Sequence, residues 1–367
     1  MEEILRKLVA FRTITGDETA AHQALDYIAQ FVTRRGMHVE RFESNGFESL
    51  IATVRAGQKT PTVMLGGHID VVPAPDELFE LRESGGKLYG RGVMDMKFAI
   101  ATYLQAIDDL GDKGKLTDYD LGLMITSDEE VGGFNGVAKL VEWGYVPKVC
   151  ILPDGGENWQ IQTSSNGFSL CKIVVRGVAA HGSRPWLADN PIDRLMVVLA
   201  EIKKLFPADP QPGMNTMSIT NFTGGDGALT QIPDQAEAIL DTRSRTEHGR
   251  SQLESAMQKI CQKHDAELTF LVRGAAIHFS LDNPYIQPFV KLAEKYTDVR
   301  IRGSHAVAAS DARYYVPYGT PCISFYPTGG GLHGAEEWIA AKSMPQFVAI
   351  LKDYLELMAR QKIDDKV

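Results

Sequence analysis

Short apolar runs that alternate with amphipathic helical patterns constrain the first half of this chain more than any other feature. Residues 61–70, 121–126 and 149–152 each have the composition of a buried strand, and residues 97–107 carry apolar side chains at helical spacing. Strands that alternate with crossover helices are typical of an α/β sheet. The pattern therefore predicts an α/β fold for residues 1–168.

The pattern changes near residue 169. Strand, helix, strand, strand, helix and strand follow in that order, at residues 169–176, 190–205, 215–222, 235–244, 251–264 and 267–273. The order βαββαβ is that of a ferredoxin-like unit. The first pattern then resumes, and it predicts a closing helix over residues 343–358. We predict a discontinuous domain, residues 1–168 and 279–367, that carries an inserted α+β domain over residues 169–278.

Charge and cysteine content exclude several classes of protein. Lys and Arg number 38 against 47 Asp and Glu, a net charge of −9, and no basic patch suited to nucleic acid is visible. The four cysteines lie far apart without C-x-x-C spacing, which argues against a disulfide framework and a thiolate zinc site. The acidic start of the chain does not resemble a secretory signal, and no apolar run approaches the ~18 residues of a membrane span. We expect a cytoplasmic protein without membrane or nucleic-acid partners.

Polar residues directly follow three of the predicted strands. His68 and Asp70 end the first, Glu129 and Glu130 follow the second, and Asp154 follows the third. In an open α/β sheet, ligands bind just outside the carboxyl ends of the strands, because the following loops open there. The repeated placement predicts one site at this edge of the sheet.

Each candidate has a structural alternative when it is taken alone. Asp95 could only cap the helix that follows it, Glu129 and Glu130 could form a solvated loop, Asp154 could belong to a turn, and His333 could be a loop histidine. The H-x-D motif at residue 68 is short enough to be a simple turn. Together, however, two histidines and several carboxylates form a donor set suited to two Zn²⁺ or similar ions.

The motifs also occur in a recognisable order. The chain reads H-I-D-V-V-P, G-K-L-Y-G-R-G-V-M-D-M-K, T-S-D-E-E-V-G-G, L-P-D-G-G and G-G-G-L-H-G, with an H-G in the inserted domain. This order resembles the binuclear zinc metallopeptidases that include carboxypeptidase G, peptidases T and V, aminoacylase, acetylornithine deacetylase and succinyl-diaminopimelate desuccinylase. The resemblance covers nearly the whole chain. It implies a mixed-sheet zinc-exopeptidase catalytic domain with an inserted ferredoxin-like domain that serves as a lid and for dimerisation.

The resemblance assigns five metal ligands. It implies that His68 and Asp154 hold one ion, that Glu130 and His333 hold the other, and that Asp95 bridges them. The implied cofactor is a pair of divalent metal ions, with zinc expected and manganese or cobalt as alternatives.

Further roles follow from the same resemblance. Asp70 would orient His68, the Asp95–Met96 peptide would be cis, and Glu129 would be the general base that takes a proton from water. A base of this kind typically contributes 10²–10⁴-fold to the rate.

Residues of the inserted domain are implied to complete the site. His181 matches a lid histidine that reaches the partner subunit's active site in dimeric relatives and helps to stabilise the oxyanion; the alternative is a turn histidine. Asn221 and Arg243 match positions that commonly bind the substrate's free carboxylate; the alternative is polar strand residues facing solvent. The backbone around Gly330, from Gly329 to Gly331, is a further candidate for substrate binding.

Substrate class is the least determined property. Asp154 stands where deacylases and carboxypeptidases of this family usually carry glutamate, and it resembles the aminopeptidases and dipeptidases. Against this, the segment L-A-D-N-P-I after His181 resembles the desuccinylase lid. The arginine pair of the desuccinylases is replaced here by Ser164-Ser165-Asn166, and their G-T-S-D-G-R segment by A-A-S-D-A-R at 308–313.

Three functions therefore stay open at this point. The first is hydrolysis of an amide bond in a small peptide by a dipeptidase, aminopeptidase or carboxypeptidase. The second is deacylation of an N-acyl amino acid such as N-succinyl-diaminopimelate or N-acetylornithine. The third is an inactive metal-binding or interaction scaffold. Loss of the base or of a ligand would mark the third, yet all of those positions are filled.

Overall fold

The structure is a computed structural model that describes residues 1–112, 114, 116–211, 213–225, 227–306 and 310–360. The chain divides into two compact units. The first comprises Met1–Ser164, Phe279–Ala306 and residues 310–360, and the second comprises Ser165–His278. The first two residues of the A-A-S-D-A-R segment, at 308 and 309, lie outside the described residues.

A six-stranded mixed sheet forms the centre of the first unit. Its strands lie in the order His38–Ser44, Phe47–Thr53, Leu121–Thr126, Val63–His68, Val149–Ile151 and Cys322–Ile323. The first three strands pair antiparallel, and the last four run parallel. The three central strands are fully buried, as their continuous apolar runs require. The α/β prediction is thus confirmed, and the antiparallel edge makes the sheet mixed, as the resemblance implies.

The antiparallel edge is a hairpin. Asn45 and Gly46 connect its strands, and both have positive φ angles, 49° and 82°. A two-residue turn of the type that suits the twist of a hairpin requires this conformation, which asparagine and glycine tolerate best. The second hairpin strand runs from Phe47 to Thr53.

Helices cover the central sheet. They lie at Glu2–Ala10, Glu18–Thr33, Lys97–Asp112, Val137–Glu142, Ile286–Thr297 and Ser343–Arg360. The Lys97–Asp112 helix is buried over most of its length, consistent with the apolar side chains that dominate its first eleven residues. None of the helices in the described ranges is long and apolar enough to cross a membrane. The cytoplasmic location stays a prediction.

A second, smaller sheet joins distant parts of the first unit. Its strands lie in the order Gly329–Gly330, Trp338–Ala340, Lys87–Tyr89 and Arg82–Ser84. The sequence pattern did not predict these strands, because two or three residues are too few to show a period of two. The pairing of Trp338–Ala340 with Lys87–Tyr89 brings the loops that carry Asp95 and His333 together. Further short strands lie at Ile161–Ser165, Ile277–His278 and Gly303–Ala306.

The second unit has the predicted ferredoxin-like order. Its antiparallel sheet contains, in spatial order, Thr216–Gly224, Gln235–Ser244, Gly167–Arg176 and Ala266–Gly274. The helices Pro191–Lys203 and Glu247–Lys263 pack on this sheet around a core that includes Ile173, Leu195, Val198, Leu240 and Met257. Asn190 and Thr246 accept backbone N–H bonds at the two helix starts. The short strands Ala180–His181 and Gln231–Ile232 pair beside it.

Candidate metal centre

Three strand ends of the central sheet supply the first part of the centre. His68 is the last residue of Val63–His68, Glu129 and Glu130 form the turn after Leu121–Thr126, and Asp154 follows Val149–Ile151. These strands are parallel neighbours, so their carboxyl ends meet at one edge of the sheet.

Asp95 lies between two histidines. Its Oδ1 is 3.2 Å from Nε2 of His68, and its Oδ2 is 3.2 Å from Nε2 of His333. His333 Nε2 also lies 3.3 Å from Oε2 of Glu130. A carboxylate that turns one oxygen toward each of two imidazoles can share two cations between its oxygens. The Asp95–Met96 peptide bond is cis, as the resemblance implies.

The potential ligand atoms fall into two groups of three. In each group the atoms lie within 4.8 Å of one another, and the groups are His68, Glu129, Asp154 and Asp95, Glu130, His333. The first group contains Glu129, which the resemblance assigns as a base and not as a ligand. The structure thus brings together all five expected ligands and the expected base.

Asp70 connects the strand end to the glutamate turn. Its Oδ1 accepts the N–H of Glu129 at 3.2 Å, and its Oδ2 accepts the N–H of Glu130 at 3.2 Å and the hydroxyl of Thr15 at 3.0 Å. The nearest partner of His68 Nδ1 is the backbone carbonyl of Asp70 at 3.0 Å, whereas the carboxylate lies at 3.4 Å. Asp70 therefore contacts His68 mainly through its backbone, and its carboxylate holds the two glutamates.

Burial and mutual repulsion raise the pKa values of Glu129, Glu130 and Asp154, whereas hydrogen bonds to His333 and His68 lower the pKa of Asp95 despite its burial. Burial raises the pKa of Glu130 to about 7. Burial, followed by the charge of Asp95, raises the pKa of Asp154 to about 6. The pKa of Glu129 lies well above its ordinary value because of burial and the charges of Asp154 and Asp311. Without a nearby cation, Glu129, Glu130 and Asp154 therefore stay protonated to a higher pH than an exposed carboxyl group would.

The imidazole of His68 has the opposite balance. Burial alone would lower its pKa, but hydrogen bonds to Asp70 and Asp95 outweigh that effect and raise the pKa well above its ordinary value. The raised pKa favours the protonated imidazole in the metal-free protein, and a metal ion would have to displace that proton to bind.

The donor set fits divalent metal ions. Asp154 Oδ1 accepts the hydroxyl of Tyr326 at 2.8 Å, but its Oδ2 is buried and has no hydrogen-bond partner among the described residues. A buried carboxylate oxygen without a partner is costly unless a cation compensates it. Imidazole nitrogens and carboxylate oxygens without thiolates suit zinc, manganese or cobalt.

Comparison with known proteins identifies the family. The model of peptidase family M20/M25/M40 matches residues 64–357. The chain belongs to this family. It is a hydrolase of amide bonds from a metal-dependent family, as the sequence motifs predicted.

Relatives of different activity resemble this M20 hydrolase. Succinyl-diaminopimelate desuccinylase of Hahella chejuensis is 28% identical over 326 residues, which cover 82% of this chain and 83% of that protein. The enzyme of the same name from Nitrosococcus oceani is 27% identical over 380 residues, covering 97% and 98%. The crystal structure of a tripeptidase from Staphylococcus aureus has the same fold, with a TM-score of 0.76 and 18% identity over 98% of both chains.

Three residues expected to act on substrate lie in the second unit. His181 is exposed, and its Nδ1 lies 2.8 Å from the hydroxyl of Ser183. Asn221 accepts a hydrogen bond from Thr223 at 2.9 Å. Arg243 donates two hydrogen bonds to the carboxylate of Asp241, at 2.7 and 2.8 Å. The Arg243 guanidinium, expected as a partner for substrate, is thus already paired within its own strand.

Gly330, the remaining candidate for substrate binding, lies in the first unit. It belongs to the short strand Gly329–Gly330 and stands opposite Trp338 in the antiparallel pairing. At Gly329, a Cβ atom would lie 2.4 Å from Sδ of Met94, the residue before Asp95. A side chain at 329 would therefore push directly on the loop that carries Asp95.

Sequence reasoning missed several residues around the centre. Tyr326 donates to Asp154, Thr15 donates to Asp70, and the buried pair Arg91 and Glu337 contacts the loops of Asp95 and His333. Arg91 stands inside the G-R-G-V-M-D motif, but nothing local connects it with Glu337.

Proposed function

We propose that this M20 hydrolase cleaves an amide bond of a small peptide at a centre of two divalent metal ions, with Glu129 as general base. The observation that carries the proposal is Asp95, whose two carboxylate oxygens face His68 and His333 at 3.2 Å each. In the proposed arrangement, His68 and Asp154 hold one ion, Glu130 and His333 hold the other, and Asp95 serves both. Zinc is the first candidate, with manganese and cobalt as alternatives.

Glu129 and Asp70 have different roles in the proposed reaction. When bound, such ions lower the pKa of water and polarise a carbonyl group. The carboxylate of Glu129 takes the proton of the attacking water and returns it to the leaving amine. Asp70 fixes the position of this base by accepting the Glu129 N–H at 3.2 Å. The burial that raises the pKa of Glu129 favours a carboxyl group that can hold a proton during turnover.

The contacts of Arg313 and Arg243 favour a peptide over a succinylated substrate. A succinyl group adds a carboxylate that requires a cationic partner, for which a guanidinium is well suited. Arg313 of the A-S-D-A-R segment is buried, and it donates to the carbonyls of Gly132 and Ser310 at 2.6 and 2.9 Å. Arg243 is paired with Asp241. Together with the aspartate at 154, these contacts support the peptide substrate.

Deacylation is the second candidate. The two desuccinylases at 27–28% identity and the L-A-D-N-P-I segment after His181 favour it. An N-acyl amino acid differs from a peptide chiefly in lacking the free α-amino group, so the same hydrolytic centre could act on either.

A substrate panel distinguishes the two candidates. We expect protein reconstituted with Zn²⁺, Mn²⁺ or Co²⁺ to release amine from free dipeptides and tripeptides, and to turn over N-acetyl amino acids and N-succinyl-diaminopimelate far more slowly. The measurement is the initial rate of amine release at equal substrate concentrations. Faster turnover of the acylated compounds would make deacylation the first candidate function. If no amide is turned over, the inactive metal-binding scaffold is the remaining candidate.

We further propose a homodimer formed through the second unit. Thr216–Gly224 is the outer strand of its sheet, and no other described strand pairs with its free side. Ile219 and Phe222 on this strand, and Met196 and Val197 on the neighbouring Pro191–Lys203 helix, are exposed. An exposed apolar edge strand is a template for pairing, and a second copy of the same edge would satisfy it.

His181 is proposed to act in the partner's site. We expect His181→Ala to lower kcat by about 10²–10³-fold without changing metal content, the range seen when one oxyanion donor is lost. His248→Ala, which changes another exposed histidine of the second unit, is the control and should keep full activity. Unchanged turnover of the His181 variant would contradict the oxyanion role.

Mixed dimers test whether His181 acts across subunits. A dimer of one Glu129→Ala and one His181→Ala chain holds one site with an intact base and a partner histidine. Random mixing of the two inactive variants should therefore recover about a quarter of the wild-type activity. No recovery, with mixing verified, would place His181 in its own subunit's site.

A further inference from the structure

A buried ion pair lies behind the proposed metal centre. Arg91 and Glu337 are 3% and 1% exposed, and Nη1 of Arg91 lies 2.7 Å from Oε2 of Glu337. The residues are 246 positions apart in the chain, and neither belongs to the proposed ligand set. Burying such a pair is costly unless its other polar atoms are also bonded. Nε of Arg91 has no hydrogen-bond partner among the described residues, so the further contacts of the other atoms, on the two ligand-bearing loops, indicate the use of the pair.

The Glu337 carboxylate holds the backbone that carries Asp95. Its Oε2 accepts the N–H of Gly92 at 3.0 Å. Its Oε1 accepts the N–H of Met94 at 2.9 Å and that of Asp95 itself at 3.1 Å. Three backbone donors and one guanidinium thus converge on one carboxylate. The position of the Asp95 main chain is fixed by Glu337.

The Arg91 guanidinium holds the loop that carries His333. Its Nη2 donates to the carbonyl of His333 at 3.2 Å and to that of Gly334 at 3.1 Å. His333 has a φ angle of 60°, a left-handed conformation that is unfavourable for a residue with a side chain. The two hydrogen bonds from Arg91 stabilise this loop with His333 directed at Asp95.

We propose that Arg91 and Glu337 are positioning residues that set the spacing between Asp95 and His333, and thereby the affinity of the Asp95–Glu130–His333 group for its metal ion. The inference rests on the proposed metal centre. One end of the pair holds Asp95, the other holds His333, and the ion pair joins the two ends. A ligand group assembled from two loops binds its ion with high affinity only if the loops already hold the ligand atoms at the spacing that the ion requires.

Arg91→Lys tests the His333 end. Lysine keeps the charge that Glu337 needs, but its single ammonium cannot reproduce the guanidinium fork that also reaches the carbonyls of His333 and Gly334. We expect the ion at the Asp95–Glu130–His333 group to bind 10–100-fold more weakly, with little change in the affinity of the other ion. The readout is the number of Zn²⁺ ions per chain after dialysis against Zn²⁺ buffered at a series of free concentrations.

Glu337→Gln tests the Asp95 end. The amide fills the same space, but whichever way it is oriented, its NH₂ group faces N–H donors that the carboxylate accepted. Because Asp95 is proposed to serve both ions, we expect weaker binding of both. Glu336→Gln is the matched control, since Glu336 is the adjacent residue, its side chain is 75% exposed, and it does not contact Asp95.

The outcomes separate positioning from simple structural support. The thermal midpoint of each metal-free variant is measured beside its Zn²⁺ affinity. A lower midpoint with unchanged affinity in Arg91→Lys would overturn the proposal, and so would an equal loss of affinity in Glu336→Gln. If Glu337→Gln does not fold, the Zn²⁺ affinity of Arg91→Lys alone tests the proposal. Wild-type protein that binds no Zn²⁺ would overturn the metal centre itself, which is a different failure from two ions bound equally well by wild type and variants.

Discussion

Replacing Glu129 by glutamine is expected to lower kcat by 10²–10⁴-fold or more while the protein still binds two metal ions. Glutamine has the same shape but cannot accept the proton of the attacking water. The fold should not change, because Asp70 holds the backbone N–H of Glu129 and not its side chain. Removal of a buried group with a raised pKa also relieves repulsion with Asp154 and Asp311, which would leave stability unchanged or slightly higher.

Glu130→Gln is the matched comparison for this experiment. The two glutamates are adjacent, and both donate their N–H groups to Asp70, but only Oε2 of Glu130 lies 3.3 Å from His333. We expect the Glu130 variant to lose metal affinity as well as activity. Metal content by elemental analysis and kcat at saturating metal separate the two roles. Loss of metal from Glu129→Gln would instead make Glu129 a ligand beside His68 and Asp154, which its position permits.

The position of the centre could be predicted from sequence because it depends on a rule about sheets. Parallel strands place their carboxyl ends along one edge, so polar residues after three buried strands are brought together without knowledge of any contact. His68, Glu129 and Asp154 are therefore accessible to sequence reasoning. Asp95 and His333 are not strand-end residues of this sheet, so the residue pattern offered them only as candidate donors, and the motif resemblance was needed to give them roles.

The contacts that hold the ligands could not be predicted in the same way. The Arg91–Glu337 pair forms only because strands of three residues, Lys87–Tyr89 and Trp338–Ala340, align across the fold. Such short strands carry no periodic signal, and their pairing depends on the packing of the whole unit. The contacts of Asp70 with the glutamate turn could not be predicted either, because they depend on that turn lying beside it; its carboxylate accepts the N–H groups of Glu129 and Glu130.

The substrate role of Arg243 stays a prediction, but the ion pair of this residue had a usable sequence signal. Arg243 was expected to offer its guanidinium to substrate, yet it pairs with Asp241. Side chains two residues apart on a strand point to the same face, so the D-T-R spacing within the predicted strand already placed the two charges together. An arginine with an aspartate two residues away on the same strand is therefore already expected to form an ion pair there before any substrate binds.

Removal of the metal ions is expected to abolish activity and to destabilise the protein more strongly as the pH rises. A bound ion at 1,000 times its dissociation constant adds about 4 kcal/mol to the stability of the folded state. The metal-free centre behaves differently, since burial and neighbouring charge raise the pKa of Glu130 to about 7 and that of Asp154 to about 6. Folded metal-free protein must therefore hold protons that the unfolded chain releases near pH 4.

The sign of the pH dependence follows from these shifts. A carboxyl group whose pKa is raised in the folded state contributes stability that is fully present below its unfolded pKa and is lost as the pH rises through its folded pKa. Glu130 and Asp154 thus reduce the stability of the metal-free protein from pH 5 to about pH 7. The raised pKa of His68 acts in the same direction, because the stabilising proton on its imidazole is lost at still higher pH.

Bound cations should reverse this trend. They keep the carboxylates ionised and the imidazoles neutral, and protons compete with them less as the pH rises through the folded-state pKa values of these groups. The measurement is the thermal midpoint of chelator-treated and Zn²⁺-loaded protein from pH 5.5 to 8.0, and the difference between them is expected to widen with pH. Glu130→Gln should flatten the metal-free curve, since the titrating group is gone. A difference that stays constant with pH would mean that these carboxylates are already ionised without metal, and that something other than a cation compensates their charge.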